Sequence, residues 1–202
     1  MKMPFFASFI VFTAWLAFTL SRNRRRAASQ KKDFWQRELA ANSTRRKPLD
    51  KLDYITIPFD ALPMDLMDTD EKVAECLQTL RSLSDSPIVN FTGISNTDLK
   101  LQYGAPNIDL LTRYDQNYTT LVCTLQKWAE RLHEAGHSQA ARQVLEFAVS
   151  THTDVSGTYR LLASIYASAG EHERIRELAA RAEHLKSGSK NIIVRALREF
   201  DP

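Results

Sequence analysis

The sequence predicts an all-α protein, in which an N-terminal transmembrane helix precedes a repeat-type stack of antiparallel helix pairs closed by a C-terminal capping helix. Three observations predict it. Residues 4–20 carry no charge and are followed at once by arginines; the remainder is rich in Ala, Leu, Arg, Glu and Gln with only 6 glycines; and the C-terminal half matches itself at an offset of 34 residues.

The length of 202 residues leaves room for one anchor and one core of about 100–150 residues, not for two full domains. Residues 1–51 hold twelve Lys and Arg against Asp33, Glu38 and Asp50, whereas residues 52–202 hold 15 basic and 21 acidic side chains. The basic charge is therefore local. Cys76 and Cys123 stand far apart with no second pair, which suggests neither a disulfide framework nor a CxxC metal site.

The run PFFASFIVFTAWLAFTL, residues 4–20, contains only Ser8, Thr13 and Thr19 as hydroxyls, and a helix can satisfy these through its own carbonyls. It would rise about 26 Å, at the short end of what spans a bilayer. Arg22, Arg24, Arg25 and Arg26 follow directly, against Lys2 alone before the run. That bias places the N-terminus outside and the C-terminal bulk in the cytoplasm of a cell membrane. A cleaved signal peptide fits less well, since its positive charge precedes the apolar region and no small-x-small site lies between Leu20 and Arg26.

Residues 21–52 form a basic juxtamembrane connector. Ala27 to Asn42 lack Gly and Pro, so the anchor helix is expected to continue there, with Phe34, Trp35 and Leu39 as an apolar edge. The edge is expected to pack on the protein's own domain or on a partner helix; the alternative sets it on the membrane, with Lys31, Lys32 and Arg37 near anionic head groups. Nucleic acid is not the expected partner of this basic stretch beside a bilayer. Pro48 ends any helix before it.

In residues 53–106, Tyr54-Ile-Thr-Ile-Pro58 reads as an extended segment too isolated to build a sheet. Asp68-Thr-Asp-Glu71 resembles a capping box opening a helix over about 69–83, with Val73, Cys76, Leu77, Leu80 and Leu83 on one face. Ser95-Asn-Thr-Asp98 opens a short helix that stops at Gly104, and another helix, or a helix with a break, runs from about Asn107 to Ala135.

In residues 107–202, Leu125, Trp128, Ala129, Leu132, Gly136 and Ala148 are followed 34 positions later by Tyr159, Leu162, Ala163, Tyr166, Gly170 and Ala182. This pattern resembles the tetratricopeptide repeat, a helix-turn-helix unit of that period. The resemblance covers residues 122 to about 189, and Lys190–Phe200 continues it as a cap. Ser187 and Thr153 stand where the family usually has proline, and Ile175 where it usually has alanine. Since such arrays need about three units, the helices of residues 69–120 are expected to complete the stack.

His133-Glu-Ala-Gly-His137 is a literal HExxH and also resembles the motif of membrane-anchored ATP-dependent zinc proteases. That chemistry needs His133 and His137 on one helical face as zinc ligands and Glu134 as general base. The repeat register opposes it, because Gly136 matches Gly170 as a turn glycine and would end the helix between the histidines.

The expectation is therefore a membrane-anchored, cytoplasm-facing adaptor without a cofactor. A groove around Tyr159, Arg160, Tyr166 and Arg195 would take an unidentified protein or peptide partner, and Arg22, Arg24, Arg25 and Arg26 would meet the anionic head groups of the lipid bilayer. A membrane-bound zinc peptidase using His133, Glu134 and His137 is the alternative.

Overall fold

The computed structural model describes residues 4–200; the side chains of residues 4–8 and 25–29 are outside the description. The described residues form helices α1 (Pro4–Asn42), α2 (Glu71–Ser82), α3 (Asn96–Tyr103), α4 (Ile108–Glu134), α5 (Ser138–Ser150), α6 (Ser156–Ser168), α7 (His172–Glu183) and α8 (Lys190–Leu197), with short 3₁₀ turns at Phe59–Ala61 and Ala105–Asn107. The all-α expectation holds. The chain separates into two compact units, Met1–Lys47 with Asn96–Asn107, and Pro48–Ser95 with Ile108–Pro202. Residues 96–106, read above with the packing helices of 53–106, and Asn107, read with residues 107–202, group with α1.

In the first unit, α1 runs without a break into the connector, as the absence of Gly and Pro from Ala27 to Asn42 requires. Among the described residues no helix is long and apolar enough to cross a membrane. This departs from the expected span of residues 4–20: the apolar stretch with described side chains, Phe9–Leu20, rises about 18 Å, against about 30 Å of hydrocarbon.

The end of α1 is clasped by α3 through polar groups. Lys100 Nζ donates to Glu38 Oε1 at 2.5 Å and to Asn42 Oδ1 at 2.8 Å, Thr97 Oγ1 donates to Glu38 Oε2 at 2.6 Å, and Arg37 pairs with Asp98. Beside them Ala41 and Leu99 are buried. Gly104 ends α3 with φ +96°, and a Cβ there would stand 2.2 Å from the Arg45 carbonyl oxygen, so only glycine lets the two chain segments meet. Buried Asn107 ties the same corner: its Nδ2 donates to the carbonyls of Lys47 and Tyr103 at 2.7 and 2.8 Å, and its Oδ1 accepts from Arg46 Nε at 2.8 Å.

The second unit holds the main hydrophobic core. The Asp70 side chain caps α2 by accepting from the amides of Lys72 and Val73, and α2 buries Val73, Cys76, Leu77 and Leu80 against α4. The expected extended segment makes one antiparallel bridge, Tyr54 to Val89, and Ile57 behind it joins the core. From α4 onward successive helices pack on their neighbours, and α8 packs on both α6 and α7.

The small residues lie at the close approaches. Ala129, Ala148, Ala163 and Ala182 are all fully buried, while Trp128, Leu132, Leu162 and Tyr159 fill the space between helices. The geometry keeps the sequence period: α5 and α7 begin 34 residues apart, as do α6 and α8.

Candidate functional site

Three places carry the residues that the sequence singles out. The first is the N-terminal half of α1. Successive helical residues are about 100° apart, so Phe9, Ile10, Val11 and Phe12, each more than half exposed, cover the whole circumference. Trp15, Phe18 and Leu20 extend this surface. The hydroxyls inside it are satisfied by the helix itself: Thr13 Oγ1 donates to the Phe9 and Ile10 carbonyls, and Thr19 Oγ1 to that of Leu16. Arg22 and Arg24 follow, exposed; the side chains of Arg25 and Arg26 lie outside the described residues.

Further along α1, Phe34 and Trp35 stack edge to face at 5.6 Å, and both remain more than half exposed, as does Leu39. Within the first unit this edge is therefore not covered by α3. The contacts to α3 use Arg37, Glu38, Ala41 and Asn42, nearer the C-terminal end of α1 than the exposed aromatic pair.

The second place is the expected groove. Arg160 and Arg195 are exposed, but Tyr159 is 1% exposed and its hydroxyl donates to the Thr153 carbonyl at 2.9 Å. It is a core residue and lines no groove. Burial pushes its phenol well above the usual range, with Tyr118 and Asp154 adding to the effect. Tyr166 is also buried, with its hydroxyl donating to Glu146 Oε1 at 2.7 Å. It forms the wall of a small cavity of about 140 Å³ that Glu146, Leu162, Arg174 and Arg181 also line.

Arg142, which is not among the residues singled out above, organises that neighbourhood. Its guanidinium donates to Glu171 Oε1 at 2.6 Å and to Glu146 Oε1 at 2.9 Å, and lies 4.8 Å from the Tyr166 ring centroid. The two carboxylates hold its pKa above the ordinary arginine value. One cation thus joins α5, α6 and the α6–α7 turn. A pattern of i, i+4 charge at Arg142 and Glu146 was visible; the third partner, Glu171, was not.

The third place is the HEAGH sequence. Helix α4 ends at Glu134, Gly136 turns the chain with φ +87°, and His137 precedes the first residue of α5. The two imidazoles therefore do not share one helical face. His133 Nδ1 is 3.1 Å from Ser138 Oγ, and Glu134 faces Arg131 at 3.5 Å. Among the described residues no three His, Cys, Asp or Glu side chains are grouped to hold a metal ion.

No family model, no curated protein and no solved structure matches the chain.

Proposed function

We propose that this is a membrane-tethered adaptor without catalytic activity. The N-terminal end of α1 enters lipid, and the helix stack, similar in plan to tetratricopeptide repeats, holds a protein or peptide partner on the cytoplasmic side. The observation that carries the reading is the apolar circumference of α1 over Phe9–Leu20, followed by exposed Arg22 and Arg24. A helix apolar on every side has no polar face to give to water, and its natural surroundings are a protein core or lipid. Counted from the sequence, the uncharged run of residues 4–20 rises about 26 Å, and the arginines after it suit the head groups of a cytoplasmic leaflet.

Support for the adaptor half is geometric. The helix pairs of the second unit recur with one period and give a stacked surface on which Arg160 and Arg195 are exposed. The test is fractionation of the full chain followed by crosslinking in native membranes. The wild type should stay in the membrane pellet through alkaline extraction, Val11→Lys with Leu16→Lys should release it, and Arg160→Glu with Arg195→Glu should change the crosslinked partners without releasing it. A wild-type chain fully extracted at alkaline pH refutes the tether; a crosslinking pattern indifferent to both arginines refutes the adaptor surface.

A further inference from the structure

The second unit contains a cleft of about 510 Å³ at the C-terminal ends of α5 and α7. Three separate parts of the sequence build it: residues 53–56, the loop 90–94, and the ends of the two helices with the residues after them. Its size is that of a small-molecule site, for which about 300–1,000 Å³ is usual.

The walls are fixed. Asn90 Nδ2 donates to the Tyr118 hydroxyl at 2.9 Å and to the carbonyls of Thr151 and His152 at 3.0 and 3.2 Å, while Asn90 Oδ1 accepts from the Thr92 amide at 2.8 Å. Gly93, φ +81°, lies so close to the chain after α7 that a Cβ would meet the Lys186 carbonyl oxygen at 2.6 Å. The loop is thus pinned to the ends of both helices.

The lining combines an apolar part with hydrogen-bond donors. Ile55, Phe147 and Leu185 supply the apolar surface; His152, His184 and Lys186 supply imidazole N–H groups and an ammonium. These three side chains make no hydrogen bond or ion pair to another described residue. His152 also holds a left-handed backbone conformation, φ 59°, just past the end of α5, where glycine or asparagine is the easy choice. A histidine there carries backbone strain, and its exposed side chain makes no packing contact in the core that would offset it.

We infer that this cleft binds a small organic monoanion, a carboxylate carrying an aliphatic group. The donors take the carboxylate and the apolar wall takes the alkyl part. The carbonyl ends of α5 and α7 and the Asp53 carboxylate oppose negative charge in the cleft, so its one ammonium, Lys186, offsets a single carboxylate rather than a phosphate dianion. The inference does not rest on the adaptor reading: all of the site lies in the second unit, and its binding is independent of membrane attachment.

The experiment is NMR of the histidine ring protons of the full chain in detergent, titrated with 4-methylpentanoate, N-acetylleucine, 4-methylpentanamide and inorganic phosphate. The His152 and His184 signals should shift saturably with the two carboxylates and not with the amide. Tighter binding of N-acetylleucine assigns the site to amino-acid-derived acids, and tighter binding of 4-methylpentanoate to simple alkyl acids. His152→Asn, which tolerates the left-handed backbone, and Lys186→Gln should each weaken binding by about tenfold, the effect of one charge-assisted hydrogen bond, with unchanged helical circular dichroism. Absence of saturable shifts at tens of millimolar acid, equal binding of acid and amide, preference for phosphate, or binding untouched by both variants overturns the inference.

Discussion

Leu132 and Tyr166 stand 34 residues apart, and the carbonyl of each accepts a backbone hydrogen bond at 2.9 Å from the residue five positions on, His137 and Glu171. Between them, the amides of Gly136 and Gly170 donate to the carbonyls of His133 and Ala167, and both glycines take a left-handed φ. The two helix ends are one Schellman turn repeated, with the same pair of carbonyls satisfied in each.

That identity makes a quantitative prediction. No atom lies within 4 Å of a Cβ built at Gly136 or Gly170, so the cost of alanine there is backbone strain alone, about 1–2 kcal/mol. Gly93→Ala should cost more, since its Cβ would collide with the Lys186 carbonyl oxygen at 2.6 Å. Urea unfolding of the three variants checks the order; equal losses would mean that the loop at Gly93 yields easily.

The clasp between α1 and α3 should weaken in acid. Hydrogen bonds from Lys100 and Thr97 hold the Glu38 carboxyl below the ordinary glutamate value. A group whose folded pKa is depressed adds stability above its unfolded pKa, and that contribution disappears as pH falls through the folded value. Hydrogen-exchange protection factors of the Lys47 and Ala105 amides, which bond across the clasp to Tyr103 and Thr44, should fall from the ordinary carboxylate range downward. Glu38→Gln should start lower at neutral pH and show little of this decline. Protection in the wild type that is flat with pH would assign the clasp to Asn107 and packing instead.

Much of this fold was legible because its signals are local. Asp70 caps α2, Gly104 ends α3, and the spacing of Trp128, Ala129 and Leu132 announces a buried face, each within a few residues of sequence. The unread parts depend on partners distant in the chain. A tyrosine at helical spacing looks the same whether its hydroxyl meets water or the Thr153 carbonyl, so Tyr159 read as groove and is core. Likewise the apolar edge of Phe34 and Trp35 stood out in the sequence, whereas the polar groups of Glu38 and Asn42 that α3 binds did not. The cleft at His152 joins three segments whose proximity no periodicity records.

Trp128 should tolerate replacement by phenylalanine unusually well. It is fully buried, and its Nε1 is the buried side-chain donor left without a partner among the described residues. An unmet donor costs about 1–3 kcal/mol, so removing it offsets much of the lost ring area. Trp128→Phe should lower stability by less than about 1 kcal/mol, whereas Trp128→Ala, which leaves a cavity, should cost about 3–5 kcal/mol. A loss near that of alanine on phenylalanine substitution would place a buried water on the indole N–H.

The two thiols should separate cleanly in reactivity. Cys76 is buried between α2 and α4, and desolvation, with Glu75 adding, raises its pKa; Cys123, on the outer side of α4, is exposed. Because the thiolate is the reacting species, burial slows Cys76 both by access and by ionisation. Native chain treated with iodoacetamide at about pH 8, where an ordinary thiol is partly ionised, should gain one carbamidomethyl group, located at Cys123 by peptide mass spectrometry. The second should appear only in denaturant, at a rate that follows unfolding. Equal labelling of both thiols in native buffer would show that α2 detaches from α4 far more often than the core contacts of Leu77 and Leu80 require.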